Sequence, residues 1–273
     1  MTYTAELPVH AAAAAFDSLA DTYDDIFTRT PIGRAQRGVV WRFLQSAFHS
    51  GDRILELNCG TGEDAFFLSR MGISVLACDG SPRMIETARR RQTVDSGASP
   101  IEFRVLQTEE IGRLAPEVPF DGVLSNFSGL NCVENLNSVA SDLAGLTKPG
   151  ARVCICLSTR VCLWEMFWFT LHGNFEKALR RVRGRTVAQV GGQPIRIWYP
   201  TIRSIKRSFT PSFRLRSIRA VGLAVPPTYV GARNILSPRV MTILEKADHS
   251  FGRFPVLRGI GDHVFLAFEK VMP

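Results

Sequence analysis

The segment that decides the fold reads "ILELNCGTGED" and spans residues 54–64. An apolar run of the strand type ends in Glu56, and the chain then turns through small residues and two glycines. Gly60 and Gly62 carry no side chain, so the backbone can turn tightly there and a ligand can approach it closely. A strand, a glycine turn and a helix are typical of the ligand-binding unit of doubly wound α/β folds. The segment therefore predicts a binding site at the end of a buried strand.

The charges of this segment favour a cationic ligand. Its fragment "GTGEDA" fits the glycine fingerprint of dinucleotide-binding folds, in which a pyrophosphate lies on the helix N-terminus. Here Glu63 and Asp64 occupy that place and Glu56 precedes it, so phosphates would be repelled at a cost on the order of several kcal/mol. S-adenosylmethionine carries a sulfonium, an ammonium and a ribose diol, and no phosphate. We therefore expect S-adenosylmethionine rather than NAD, and no metal.

The composition indicates a globular protein with a large core. The chain has 273 residues, 45% of them hydrophobic. Its first residues lack the basic region of a signal peptide, so we expect a cytoplasmic protein, and its six cysteines form no CxxC pair, so we expect reduced thiols. The longest apolar run, "VCLWEMFWFTL", is too short to span a bilayer.

Strand and helix patterns alternate through the middle of the chain. We predict an N-terminal helical lid over residues 1–50, a ligand-binding core over 51–160, and a C-terminal elaboration with the last strands over 161–273. Expected strands of the core lie at 53–57, 74–78, 101–106, 120–125 and 151–158. Later elements are a helix over 161–182, a short strand at "IRIWY", a strand near 213–219, a helix near 238–249 and a closing strand "DHVFLAFEK". This order predicts an α/β fold with a doubly wound, mostly parallel, seven-stranded Rossmann-like sheet.

Three motifs along this pattern point to one family. They are "ELNCGTG" for the glycine loop, "CDGSPRMIETA" for an acid that ends the second strand, and "FDGVLSNFSGLNCV" for the fourth strand with its loop. Together they resemble the class I S-adenosylmethionine-dependent methyltransferases, in particular the bacterial small-molecule and quinone-type branch. The resemblance covers residues 16–158 and implies methyl transfer to a small acceptor, with 161–273 as the acceptor side.

The resemblance also implies a set of cofactor contacts. Asp79 would accept the ribose hydroxyls and Met84 would lie on the adenine. Asn58 stands where the family often has a glycine, a change that Asn tolerates because it enters the left-handed region more readily than most residues. Tyr23 would reach the site from the lid, although it also fits an ordinary apolar stripe. The implied set is Tyr23, Glu56, Asn58, Cys59, Gly60, Gly62, Asp79, Gly80, Met84, Gln107, Thr108, Glu109, Ser125, Asn126 and Phe127.

The acceptor side has less specific signals. His263 and His172 are the candidate general bases, and a structural role competes with each. Asn131, in the loop after the fourth strand, is a candidate acceptor contact. One face of the predicted helix over 161–182, which is either an acceptor wall or core packing, carries Trp164, Phe167, Trp168, Leu171 and Phe175. Both interpretations suit a partly apolar acceptor such as a quinone-like compound or a natural product.

The positive charge of the chain is concentrated in one stretch. From Lys177 to Arg219 there are twelve Lys or Arg and no Asp or Glu, whereas the rest of the chain has a net charge of −4. These charges should meet an anion, which could be an acidic group on the acceptor, an anionic membrane surface or an RNA backbone. The chain shows no RNA-binding module, which favours the acceptor or the membrane over nucleic acid. RNA methylation through 177–219 and a non-catalytic S-adenosylmethionine-binding scaffold remain the alternatives, and the sequence carries no signal for an oligomeric state.

Overall fold

A seven-stranded sheet forms the centre of the computed structural model, which describes residues 11–93, 99–114, 118–230 and 237–272. The strands are β1 (Arg53–Leu57), β2 (Ser74–Asp79), β3 (Ile101–Val105), β4 (Phe120–Ser125), β5 (Thr147–Leu157), β6 (Arg185–Val190), β7 (Gln193–Trp198), β8 (Phe213–Val221) and β9 (His263–Lys270). The order in the sheet is β3-β2-β1-β4-β5-β9-β8, and β6 and β7 form a separate hairpin. Strands β1 to β5 are parallel, and β9 runs antiparallel between β5 and β8. The predicted mostly parallel, seven-stranded sheet is confirmed.

Helices pack on both faces of the sheet. They are α1 (Ala11–Asp17), a π-helical turn (Asp24–Thr28), α2 (Pro31–Ala47), α3 (Glu63–Arg70), α4 (Pro82–Gln92), α5 (Leu136–Leu146), α6 (Leu163–Leu171), α7 (Phe175–Ala178), α8 (Ile202–Phe209) and α9 (Pro238–Phe251). Two 3₁₀ turns, Thr108–Arg113 and Gly129–Cys132, follow β3 and β4. Thr30, Ser81 and Ser237 begin α2, α4 and α9 by accepting a hydrogen bond from a backbone N–H three residues on.

The central strands are buried on both faces, which explains their nearly continuous apolar sequences. Leu55 and Val123 contribute to the apolar cluster on one face, whereas Ile54 and Leu124 contribute to the cluster on the other. The strand order reverses between β1 and β4, so the segments that follow these two strands run apart and leave a crevice at their carboxyl ends. The fold thereby places the glycine loop and Asp79 at one edge.

Two elements after β5 differ from the sequence prediction. The expected helix over 161–182 is interrupted at Gly173, which adopts φ +70°, and forms the separate helices α6 and α7. Strand β6 was not predicted, since only every second residue of "RTVAQV" is partly buried and no apolar run marks it. None of the described helices is long and apolar enough to cross a bilayer.

Candidate functional site

A cavity of about 470 Å³ lies at the carboxyl edge of the sheet. Residues of the glycine loop, the end of β2, the N-terminal segment and the β6–β7 hairpin all line it. Most of the implied cofactor residues line it: Tyr23, Asn58, Cys59, Gly60, Asp79, Gly80, Met84, Gln107, Thr108, Glu109, Asn126 and Phe127. Glu56, Gly62 and Ser125 lie outside this lining. The cavity therefore collects residues from the three motifs, although the role of each stays a prediction.

Asp79 is fixed by two backbone donors. Its Oδ2 accepts a hydrogen bond from the Gly60 N–H at 2.8 Å, and its Oδ1 accepts one from the Ser81 N–H, also at 2.8 Å. Gly60 and Gly62 adopt φ +54° and +82°, which glycine reaches without a Cβ penalty. Burial raises the pKa of Asp79 although both N–H groups oppose this. Among the described residues each carboxylate oxygen accepts one hydrogen bond, which leaves it a lone pair for a ribose hydroxyl.

Glu56 lies beneath the glycine loop and is only 1% exposed. Its Oε2 is buried and has no hydrogen-bond partner among the described residues. Burial, followed by the nearby Asp64, raises the pKa of Glu56 well above its ordinary value, and Arg37 only partly opposes this. A buried carboxylate in this state gains from a nearby cation, so Glu56 is electrostatically compatible with an ammonium group such as that of S-adenosylmethionine, although it does not itself line the cavity.

Asn58 connects three loops at this edge. It adopts φ +56°, the left-handed conformation expected for it. Its Nδ2 donates to Thr108 Oγ1 at 2.8 Å, and its Oδ1 accepts from Ser125 Oγ at 3.1 Å. A Cβ on Gly129 would overlap the Asn58 side chain, at 2.6 Å from its Oδ1. Asn58 thus fills the space that the absent side chain of Gly129 leaves.

The two acids that begin α3 have partners within the protein. Asp64 pairs with Arg37 and accepts a hydrogen bond from Trp41 Nε1 at 2.6 Å, and Glu63 Oε2 accepts one from Arg91 Nη2 at 2.5 Å. These arginines compensate the charge that we expected to repel a phosphate. The electrostatic preference for a cation therefore rests mainly on Glu56.

The expected adenine side is narrow. Gly80 lies against Gln107, because a Cβ there would come within 2.7 Å of the Gln107 Cδ. Met84 is buried beside it and Gln107 Nε2 donates to the Gly80 carbonyl at 3.3 Å. Gly62 does not line the cavity, because the side where its Cβ would lie packs against Phe103. Ser125 does not line it either, and its hydroxyl donates to Asn58.

The N-terminal segment is held over the cavity by polar contacts. Asp17 accepts a hydrogen bond from Ser81 Oγ at 2.5 Å, and Asp24 accepts one from Thr61 Oγ1 at 2.7 Å. Tyr23 points into the same cavity, where burial, with nearby acids, raises its pKa to about 12. The Tyr23 hydroxyl is therefore neutral near pH 7.

His263 also lines the cavity and is the first residue of β9. Its Nδ1 is buried without a hydrogen-bond partner among the described residues and lies 3.3 Å from Asp262 Oδ2. Burial lowers the pKa of His263, although Asp262 opposes this, so the imidazole is neutral near pH 7. Burial alone would raise the pKa of Asp262, but His263 and Arg181 bring it below its ordinary value.

A buried ionic cluster behind His263 was not predicted as part of the site. Glu165 accepts hydrogen bonds from Arg180 Nε at 2.6 Å, from Arg181 Nε at 2.7 Å and from the Tyr229 hydroxyl at 2.5 Å. Arg181 Nη2 also donates to Asp262 Oδ1 at 2.7 Å. Two arginines of the basic stretch are thus neutralised inside the protein. The sequence signal that could have indicated this cluster was Glu165, the lone acid in "VCLWEMFWFTL".

Several expected acceptor residues lie outside the cavity lining. Trp164 Nε1 donates to the carbonyls of residues 223 and 224 at 3.1 Å, Phe167 faces outward, and the Trp168 ring lies 4.3 Å from that of His172. His172 is itself exposed. These four side chains turn away because α6 directs Glu165 inward. Asn131 does line the cavity, and its Nδ2 donates to the carbonyls of Ser158 and Trp198.

Comparison with known proteins supports the motif-based resemblance. Residues 54–150 match the methyltransferase domain family. The demethylmenaquinone methyltransferase of Thermobifida fusca is 33% identical over 147 residues, which cover 53% of this chain and 59% of that relative. The match thus spans less than two thirds of the relative's length.

Two solved structures share the fold. A methyltransferase described as S-adenosylmethionine-dependent, from Listeria monocytogenes, has a TM-score of 0.58 at 15% identity, covering 86% of this chain and 100% of that one. The cyclase SpnF has a TM-score of 0.60 at 12% identity, covering 97% of both chains. The predicted cofactor class agrees with the domain family. Residues 54–150 therefore match a methyltransferase domain, and the chain shares the fold of a structure described as an S-adenosylmethionine-dependent methyltransferase.

Proposed function

We propose that the protein transfers the methyl group of S-adenosylmethionine to a small, partly apolar acceptor of the quinone type. One observation carries this proposal: a single cavity is lined both by Asp79 and the glycine loop, which suit an adenosine, and by His263 with apolar side chains, which suit an acceptor. The name of the Thermobifida fusca relative, a demethylmenaquinone methyltransferase, supports a quinone-like acceptor.

The residues of the chain divide the chemistry between the two ends of the cavity. When bound, S-adenosylmethionine would supply an electrophilic methyl group, which the acceptor attacks in line while S-adenosylhomocysteine leaves. Asp79 would hold the ribose and Glu56 the ammonium group. His263 is neutral, so it can accept the proton that the acceptor loses, and Asp262 lies close enough to stabilise the resulting imidazolium.

The chamber suits a flat, apolar ring. The rings of Phe27 and Phe127 lie 5.1 Å apart in an edge-to-face arrangement on one side. Val190, Ile195 and Ile197 of the β6–β7 hairpin contribute aliphatic side chains. These groups would exclude water from the reacting atoms, which favours methyl transfer over hydrolysis.

The polar end of the chamber is electrically balanced. Arg180 and Arg181 carry two positive charges, and Glu165 with Asp262 carry two negative ones. An acidic group on the acceptor would find little net charge to meet there. The balance favours an uncharged hydroxyl or carbonyl, such as that of a quinol, over the acidic acceptor that the basic stretch suggested.

The same balance weakens the RNA alternative, because Arg180, Arg181 and Arg216 are already paired with Glu165, Asp262 and Glu269. A non-catalytic scaffold, or another reaction on this fold, would leave the adenosine end intact. Methyl turnover separates these cases. A membrane-borne acceptor belongs to the same proposal, since quinones with long side chains partition into lipid.

Two measurements test the proposal. Calorimetry should show that the protein binds S-adenosylmethionine but not NAD, and Asp79→Ala should weaken that binding about 100-fold or more, because two hydrogen bonds to a charged group are lost at roughly 1.5–3 kcal/mol each. Asp79→Glu should bind better than Asp79→Ala. The exposed Glu86→Ala on α4 is the matched control and should bind normally.

The second measurement follows the label of methyl-labelled S-adenosylmethionine into a short-chain 1,4-naphthoquinol. Labelled product is expected, and His263→Asn should lose it while still binding S-adenosylmethionine. Normal binding by Asp79→Ala would refute the adenosine end. Cofactor binding without transfer to quinols, or transfer to RNA instead, would refute the acceptor.

A further inference from the structure

Helix α6 is oriented opposite to an ordinary surface helix. Its acid, Glu165, is 1% exposed and holds the ionic cluster, whereas Phe167 and Leu171 are 62% and 68% exposed. Surface helices usually bury the apolar face and expose the charged one. Because Glu165 and Trp164 anchor α6 through polar bonds, its apolar side chains are left in solvent.

The exposed apolar side chains continue beyond α6. They form what we call the α6–α7 face, which consists of Leu163, Phe167, Leu171, Phe175, Leu179, Val182 and Val187. Leu163, Phe167 and Leu171 are spaced four residues apart and share one side of α6. Single exposed hydrophobic residues are common, but a run of seven within 25 residues marks a surface that another apolar phase covers.

Cations accompany this face. Lys177, Arg183 and Arg185 are exposed within the same segment and are separate from the arginines that Glu165 neutralises, and Arg183 lies 3.9 Å from Glu176 in an exposed ion pair. Glu176 is the one exposed acid between residues 163 and 187, all of which the structure describes. Exposed phenylalanine and leucine beside lysine and arginine is the composition of elements that lie in the headgroup layer of anionic membranes. We infer that the α6–α7 face docks the protein on an anionic phospholipid surface.

This docking surface adjoins the proposed acceptor chamber. Along β6 the exposure alternates, so Val187 belongs to the outer face whereas Val190 lines the cavity. The β6–β7 hairpin, which is a single layer of sheet, therefore lies between the docking surface and the cavity. This inference extends the proposed function, since a lipophilic acceptor dissolved in the bilayer would reach the protein on that side.

Two other occupants fit the face less well. A second copy docked symmetrically would bring Lys177, Arg183 and Arg185 against their own equivalents, and like charges would oppose the contact. RNA would pair with the cations but would leave the outward aliphatic residues, such as Leu171, in water. An anionic bilayer satisfies both the charges and the apolar side chains.

Co-sedimentation with phosphatidylcholine vesicles, with and without phosphatidylglycerol, tests the inference. The wild-type protein should bind the anionic vesicles, and binding should weaken steeply as salt rises. Phe167→Ser/Leu171→Ser/Phe175→Ser should bind at least about tenfold more weakly, because exposed apolar groups no longer enter the bilayer. Lys177→Glu/Arg183→Glu/Arg185→Glu should lose about fivefold for each charge removed at low salt.

Matched controls separate docking from folding and from general charge. Val118→Ser changes a side chain of similar exposure before β4, and Arg42→Glu/Arg104→Glu/Arg113→Glu makes the same charge change elsewhere. Both controls should bind vesicles like the wild type. All variants should keep S-adenosylmethionine affinity and the transfer rate to a water-soluble quinol, so failure of docking is distinct from failure of the proposed function.

Three results would overturn docking. One is the absence of vesicle binding at low salt. Another is equal loss in the face variants and their controls. The third is a dimer by sedimentation velocity that the Phe167→Ser/Leu171→Ser/Phe175→Ser change dissociates, because the face would then be an interface between copies.

Discussion

Gly129→Ala tests the contact between the loop after β1 and the loop after β4. The new Cβ would lie 2.6 Å from Asn58 Oδ1 and closer still to the Asn58 Cβ and Cγ. Asn58 has little freedom to move away, because it is bonded to Thr108 and Ser125 and already adopts a left-handed conformation. The substitution therefore forces a shift in a loop that lines the cavity.

The magnitude follows from the contacts. Overpacking of a rigid site costs about 1–3 kcal/mol, and we expect Gly129→Ala to reduce the free energy of unfolding by about 2–3 kcal/mol. Asn58→Gly loses two hydrogen bonds at about 0.5–1.5 kcal/mol each, but glycine recovers about 1 kcal/mol at a left-handed position. In the Asn58→Gly background the same alanine should cost under about 0.5 kcal/mol, which gives a coupling energy near 2 kcal/mol.

Urea denaturation of the wild type, Gly129→Ala, Asn58→Gly and the double variant measures this coupling energy. Gly145→Ala, on an open side of α5 where a Cβ meets nothing within 4 Å, is the matched control and should be neutral or stabilising. Titration with S-adenosylmethionine should show weakened binding in Gly129→Ala and recovery in the double variant. Additive effects of the two substitutions would refute the contact.

Three further outcomes are expected. Glu56→Gln should raise the free energy of unfolding of the cofactor-free protein at pH 7 and weaken S-adenosylmethionine binding. Because the pKa of Glu56 is raised in the folded protein, the stability advantage of the glutamine variant should grow as pH rises from about 4.5 through that pKa. Equal stability of the two proteins at pH 7 would contradict this. The pKa of His263 is lowered, so methyl transfer should persist as pH falls to about 6.5 and decline only below it. The free energy of unfolding should also fall below about pH 6.5, because there the histidine of the unfolded chain gains a proton before that of the folded protein does. An activity midpoint above pH 7 would exclude His263 as the base. Glu165→Gln should cost about 3–5 kcal/mol in urea denaturation, since it leaves Arg180 and Arg181 without their shared partner, and a loss below about 1 kcal/mol would show that the cluster is not a stabilising unit.

Local sequence patterns determined the sheet and the residues of the proposed adenosine end of the site. Apolar runs bounded by turns marked the strands of the main sheet, because strands covered on both faces need apolar side chains at almost every position. Asn58 and Gly60 follow β1, and Asp79 ends β2. Since parallel strands place their carboxyl ends at one edge, the sequence sufficed to bring these residues together.

The proposed acceptor end depended on tertiary contacts that leave no periodic signal. Arg181 and Asp262 lie 81 residues apart, and neither position shows which acid the arginine meets. The aromatic run of α6 predicted either a core or a pocket wall, but the buried Glu165 rotated that face into solvent. Local periodicity reports which residues share a face, whereas the direction of that face is set by partners distant in sequence.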